Sequence, residues 1–152
     1  MFLRTLIFLI LNFLALGLGS FFTADGVASL WYQNLAKAPW SPPGWMFGAA
    51  WTSIMVCFSF YLAYLWPLVQ SNKNLILLYV LQWILNVSWN PTFFYFHQIS
   101  LAFAVIISLT LLVAYFLFTY HTTLKLKSWL LLPYFIWLLI ASSLNAYILL
   151  FN

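Results

Sequence analysis

The sequence predicts an all-α integral membrane protein with five transmembrane helices. Three observations lead there. Only 4% of the 152 residues are charged, against about 25% in a soluble domain, too few to solvate a surface. The apolar runs are continuous rather than alternating, which excludes a β-barrel. The few charges divide the chain into neutral blocks whose lengths suit helical crossings of about 20 residues each.

The same composition excludes several functions. A net charge of +4 comes from five scattered cations, with no basic patch for nucleic acid. Cys57 is the single cysteine, so neither a disulfide framework nor a cysteine zinc site is available. Asp25 is the one carboxylate, which removes paired-carboxylate acid–base chemistry. No nucleotide-binding glycine loop, HExxH motif or Ser/His/Asp set appears. No internal repeat appears either.

The first span is expected over 5–24. Arg4 and the small residues Gly17, Gly19 and Ser20 imitate a signal peptide. The apolar run exceeds an h-region and no A-x-A-like site follows, so we expect a retained membrane helix. The second span is expected over 43–67, starting at Ser41-Pro42: serine caps free N–H groups and proline at the first helical position sacrifices no bond. The neutral block 74–124 is too long for one crossing and right for two. Phe96-His97-Gln98 breaks it into spans over 74–95 and 99–121. The fifth span is expected over 129–150.

Arg4, Lys73, Lys125 and Lys127 then fall on the N-terminal side, and Lys37 falls on the other side with Asp25. The positive-inside rule places the N-terminus in the cytoplasm and the C-terminus outside. His97 and His121 fall on opposite sides, so no shared metal site is expected.

Three segments are more than lipid anchors. The stretch from Trp31 to Trp45 is dense in tryptophan and proline. It reads either as an interfacial aromatic belt or as a proline-stiffened lid over a cavity. In the third span Gln82, Asn86, Trp89 and Phe93 share one helix face. Amides in a bilayer turn inward, either to bond between helices or to anchor a ligand. Pro91 lacks an N–H and clashes with the carbonyl of Val87, so a kink or helix end is expected. In the fifth span Trp137, Ala141, Leu144 and Asn145 share a face, which suits close packing or a shallow groove. Ala15-x-x-x-Gly19 and Gly44-x-x-x-Gly48 are weak small-residue packing patterns.

Together these segments resemble the TspO/MBR family of bacterial tryptophan-rich sensory proteins and mitochondrial translocator proteins, also called peripheral-type benzodiazepine receptors. Four motifs carry the resemblance over nearly the whole chain. Trp31-Tyr32-Gln33-Asn34-Leu35-Ala36-Lys37-Ala38-Pro39-Trp40-Ser41-Pro42-Pro43 is similar to W-Y-x-x-L-x-K-P-x-W-x-P-P, with Ala38 in place of the proline after the lysine. Trp51-Thr52 is similar to the family's second-span pair. Gln82, Asn86, Trp89, Pro91, Phe93 and Phe94 follow Q-x-x-x-N-x-x-W-x-P-x-F-F, with Asn90-Pro91 where the family often has two prolines. Pro133, Tyr134, Trp137, Ala141, Leu144 and Asn145 follow P-Y-x-x-W-x-x-x-A-x-x-L-N.

The resemblance implies a single membrane domain over 1–152 and a five-helix bundle. It also implies an ordered loop after the first helix that covers a ligand cavity. Family members bind protoporphyrin IX, haem and isoquinoline carboxamides, and animal members bind cholesterol. Carried over residue by residue, the pocket is lined by Tyr32, Trp40, Pro42, Trp51, Gln82, Asn86, Trp89, Trp137, Ala141 and Asn145. Lys37 is expected to pair with a porphyrin carboxylate. A receptor or regulator is the leading expectation. The alternatives are light-dependent porphyrin degradation, with Trp51 and Trp137 as the matching catalytic pair, and carriage of a lipophilic ligand across the membrane. No cofactor beyond the porphyrin ligand is required and no nucleic acid is expected. The partners are a hydrophobic small molecule, the bilayer and a second copy in a homodimer. A bacterial cell membrane fits, because no cation follows Leu144 and Tyr147 as the animal sterol motif needs.

Overall fold

The computed structural model describes residues 1–69 and 71–152. Among these, all regular structure is helical. The chain runs through α1 (Phe2–Ala28), α2 (Leu30–Asn34), α3 (Gly44–Leu65), α4 (Asn72–Asn90), a π-helical turn (Pro91–Tyr95), α5 (Ile99–Thr119), α6 (His121–Leu124), a 3-10 segment (Lys125–Leu131) and α7 (Leu132–Phe151).

Four segments are long and apolar enough to cross a membrane: Phe2–Ala28, Gly44–Leu65, Ile99–Thr119 and the composite His121–Phe151. The remaining long helix, α4, is diluted by Asn72, Lys73, Asn74, Gln82, Asn86 and Asn90. Its amides turn inward rather than to lipid, since Gln82 and Asn86 are buried.

Polarity is inverted relative to a soluble fold. Leu3, Ile10, Phe21, Leu77, Leu111 and Phe118 are exposed, whereas Asn12, Ser59, Gln82, Thr110, Ser142 and Asn145 are buried. Lipid tails solvate the first set, and the second set must find partners inside. Asn12 does so across three helices. Its Nδ2 donates to Ser59 Oγ at 2.8 Å, and its Oδ1 accepts from Tyr79 OH at 2.8 Å. Ser59 passes its own proton to the Met55 carbonyl, which completes the network.

α1 packs on α3 and α4, α5 packs on α4 and α7, and α3 packs on α7. Glycines set how closely α1 approaches the end of α4. A Cβ on Gly19 would stand 2.6 Å from Asn90 Nδ2, and one on Gly26 would fall on the Phe94 ring. Thr23 Oγ1 donates to Asn90 Oδ1 at 2.7 Å in the same seam. Ala15, also buried, extends it, so Ala15-x-x-x-Gly19 is a packing stripe. Gly44 and Gly48 have nothing within 4 Å of a built Cβ, and their pattern packs nothing here.

Ser29 ends α1 and starts α2. Its hydroxyl donates to the Gly26 carbonyl at 2.6 Å and accepts from Tyr32 N–H at 3.2 Å. The chain then extends to Pro43, and α3 begins at Gly44. Ser41 does not cap α3 as its sequence context suggests. Its hydroxyl and N–H both turn back to the Ala38 carbonyl, at 2.7 Å and 3.0 Å, closing a tight turn around Pro39-Trp40.

Pro91 neither ends the helix nor leaves a bond vacant. The chain widens into a π-turn, with Phe96 N–H donating to the Pro91 carbonyl at 2.9 Å. Thr92 Oγ1 donates to the Ser88 carbonyl at 2.7 Å. His97 then adopts φ 54°, a left-handed conformation that histidine tolerates better than most residues. This places its ring flat on Trp31, with centroids 4.0 Å apart.

Candidate functional site

Two side-chain columns face each other from α4 and α7. On α4 they are Gln82, Asn86, Trp89 and Phe93, the last within the π-turn. On α7 they are Tyr134, Trp137, Ala141 and Asn145. Two hydrogen bonds bridge the columns. Gln82 Nε2 donates to Tyr134 OH at 2.8 Å, and Trp89 Nε1 donates to Asn145 Oδ1 at 3.2 Å. Asn145 spends its own N–H on the Ala141 carbonyl one turn back, which fixes its oxygen toward Trp89.

Between these bridges the polar accounting is incomplete. Trp137 Nε1 and Gln82 Oε1 are fully buried without a hydrogen-bond partner. The Asn86 amide, on a residue 8% exposed, makes no side-chain hydrogen bond among the described residues. Buried polar groups in native proteins are satisfied in the great majority of cases. Orphans at neighbouring levels of one core mark a place where something polar is missing.

The walls around them are aromatic. Phe47 of α3 meets Trp137 edge-on at 5.3 Å, and Trp51, one turn on, meets Tyr134 at 5.9 Å. Trp89 stacks on Phe93 at 5.3 Å and 12°. Trp51 and Trp137 thus occupy successive rungs of one ladder between α3 and α7. Above them, Tyr32 leans on Phe94 at 5.5 Å and on Phe93 at 6.3 Å. Burial pushes the Tyr32 phenol above its ordinary range, so it stays a neutral donor.

Gln82, Asn86, Trp89, Trp137, Ala141 and Asn145 therefore come together, with Trp51 beside them and Tyr32 over one end. Pro42 lies half-buried in the extended loop. Trp40 lies apart: its ring is 55% exposed, its Nε1 donates to Ser143 Oγ at 3.1 Å, and it rests on Tyr147. Lys37 turns onto the loop itself. Its Nζ donates to the Gln33 and Leu35 carbonyls at 3.1 Å and 3.4 Å and sits 4.7 Å above the Tyr32 ring. Phe47 and Tyr134 belong to the site and were not among its expected residues. Tyr134 is signalled by its place three residues before Trp137.

The two best-defined surface hollows, of about 320 Å³ and 220 Å³, are elsewhere. They open at the far end, where α3 finishes and α7 begins. The candidate site itself is closed to solvent: Gln82, Asn86, Trp137, Ala141 and Asn145 are each at most 9% exposed. It offers flat apolar faces, N–H donors and amide oxygens. It presents no carboxylate, imidazole or thiol, so its own side chains suit binding rather than proton transfer.

The TspO/MBR family profile matches residues 7–151. The chain belongs to the TspO/MBR family. A tryptophan-rich protein TspO from Archaeoglobus fulgidus is 36% identical over 94% of both chains. A tryptophan-rich sensory protein from Cereibacter sphaeroides is 35% identical over 76% of this chain and 72% of its own. The translocator protein of Bos taurus is 30% identical over 84% of this chain and 80% of its own. Family membership and the apolar helices together identify an integral membrane protein. Every motif residue quoted above falls inside the matched range, so the α4 and α7 columns are part of the TspO/MBR domain.

Proposed function

We propose that this TspO/MBR protein is a membrane receptor that binds tetrapyrroles such as protoporphyrin IX or haem between α3, α4 and α7. In this reading α4 is the fifth crossing, because its amides turn inward and its outer face is Leu77, Leu81 and Ile84. The loop from Leu35 to Pro43 is the roof. The N-terminus faces the cytoplasm, since Arg4, Lys73, Lys125 and Lys127 gather at one end.

One observation carries the reading: Trp137 Nε1 and Gln82 Oε1 are orphaned inside aromatic walls. A tetrapyrrole brings what these walls lack. Its flat ring stacks on indole and phenol faces, and its pyrrole nitrogens and carboxylates accept or donate where Trp137, Gln82 and Asn86 have no partner. Lys37 pairs with a carboxylate only by leaving the Gln33 and Leu35 carbonyls, so its contribution requires the roof to rearrange.

The test is a dark titration of detergent-purified protein with protoporphyrin IX, read by tryptophan quenching. Saturable quenching that weakens in Trp137→Phe supports the pocket. Linear, equal quenching in both proteins means micelle partition and removes it. Repeating the titration under light decides the second reading, which the Trp51–Trp137 ladder favours. Loss of the porphyrin absorbance in wild type but not in Trp51→Phe turns the receptor into an enzyme.

A further inference from the structure

We propose that the end of the protein opposite the aromatic roof carries a built site for one acidic phospholipid. The headgroup rests on Lys125 and Lys127, and an acyl chain lies in the hollow between α3 and the 3-10 segment. This site is independent of the tetrapyrrole pocket.

The segment is pinned from beneath. Leu124, Ser128 and Leu131 are 4%, 1% and 0% exposed, and Ser128 Oγ donates to the His121 carbonyl at 3.4 Å. Anchored on these three, the segment holds Lys125, Leu126, Lys127 and Trp129 outward in a fixed row. Leu126 is 81% exposed and Trp129 is 64% exposed. Two cations alternating with a leucine and a tryptophan suit the depth where headgroups meet hydrocarbon. Lys125 is held at φ 52°, ψ −124°, a conformation that side-chain-bearing residues rarely adopt.

The hollow beside this row is about 320 Å³, with walls of Phe60, Tyr64, Leu126 and Leu130 and Lys127 at its rim. Lys127 Nζ stands 4.1 Å above the Tyr64 ring, so its stem crosses the mouth while its charge stays at the edge. The lining is apolar apart from the Tyr64 hydroxyl and this single cation.

Charge complementarity names the occupant. Asp25 is the only acidic residue in the chain, and it lies near the end of α1, at the opposite side. Arg4, Lys73, Lys125 and Lys127 therefore have no protein carboxylate near them. Their counter-charge comes from the surroundings, and in a bilayer that is an anionic headgroup. A free anion would satisfy Lys125 and Lys127 and leave the apolar hollow empty. A zwitterionic lipid would fill the hollow and leave the charge unbalanced. An acidic phospholipid does both.

The experiment takes full-length protein from bicelles of equal parts phosphatidylglycerol and phosphatidylcholine into native mass spectrometry. Phosphatidylglycerol adducts are expected to exceed phosphatidylcholine adducts by about five-fold or more, the preference expected from one or two interfacial lysines. Lys125→Gln/Lys127→Gln brings the two lipids to parity, whereas Lys73→Gln, at the same end, keeps the preference. Leu130→Trp fills the hollow while leaving both lysines, and it cuts adduct retention. Circular dichroism confirms helicity, and Lys127→Gln alone replaces the double variant if that variant unfolds. Equal retention of both lipids by wild type overturns the proposal. So does stripping of the adducts by inorganic phosphate, which reveals a free-anion site. A lipid-free dimer that dissociates in the double variant also overturns it, because a second copy then covers the row.

Discussion

Asn152 grips the peptide of Ala36 from both sides. Its Oδ1 accepts from the Ala36 N–H at 2.9 Å, and its Nδ2 donates to the Ala36 carbonyl at 3.2 Å. The end of α7 thereby holds the loop that follows α2. Trp40 adds a second tie to the same helix through Ser143 and Tyr147.

Asn152→Ala should free the loop without unfolding the helices. Exposed hydrogen bonds contribute at the low end of about 0.5–1.5 kcal/mol each, so losing two raises the open population by several-fold. Hydrogen exchange at the Ala36 amide reads this directly. An unchanged rate means Trp40 alone holds the loop.

The Asn12 network should show strong coupling. Asn12→Ala strands Tyr79 OH and removes a partner of Ser59, at a cost of about 1–2 kcal/mol. Tyr79→Phe removes only the donor to Asn12 and should cost less. Equilibrium unfolding in mixed micelles of both single variants and the double gives the coupling energy. Additive effects would show that the two residues act separately.

Gly26→Ala and Gly17→Ala form a controlled pair on one helix. The new methyl at 26 meets the Phe94 ring, while the methyl at 17 has nothing within 4 Å. Overpacking at 26 should cost about 1–3 kcal/mol. Alanine at 17 should be neutral or gain a few tenths from better helix propensity. Thermal unfolding of the two variants should separate them; equal shifts would contradict the packing at Phe94.

Asn86→Ala should leave stability close to wild type, because its amide bonds to nothing among the described residues. It should weaken a carbonyl-bearing ligand by about 1–3 kcal/mol if that ligand uses the amide. Isothermal titration with an isoquinoline carboxamide, beside a melting curve, separates the two. A lower melting temperature with unchanged affinity would make Asn86 a packing residue.

The columns on α4 and α7 were legible because their signal is local. Gln82, Asn86, Trp89 and Phe93 repeat at helical spacing, and so do Trp137, Ala141 and Asn145, so any helix puts each set on one face. The crossing assignments followed from charge placement alone for α1, α3, α5 and α7. Contacts between distant segments left no such trace. Asn12, Ser59 and Tyr79 look like three unrelated polar residues until three helices bring them together. Trp40 and Lys37 carry motif positions, yet a tight turn and the loop's own carbonyls direct them away from the columns. Ser41-Pro42 resembles a helix start, but the Ala38 carbonyl was the nearer partner for the serine. Pro91 announced a disturbance whose form, a widened turn instead of a kink, depended on Phe96 finding the Pro91 carbonyl.

That widened turn makes segment length a control point. A π-turn accommodates one residue more than α geometry requires. Deleting a single residue between Pro91 and Tyr95 would let the helix relax to ordinary winding, with no loop to take up the change. Everything after it would rotate by about 100° and retreat by about 1.5 Å. His97 would then leave the face of Trp31, and Phe93 and Phe94 would turn from Tyr32. The attachment of α2 to the helices below thus depends on how many residues this stretch contains, and a chemically conservative deletion there would undo more than most substitutions of the aromatics themselves.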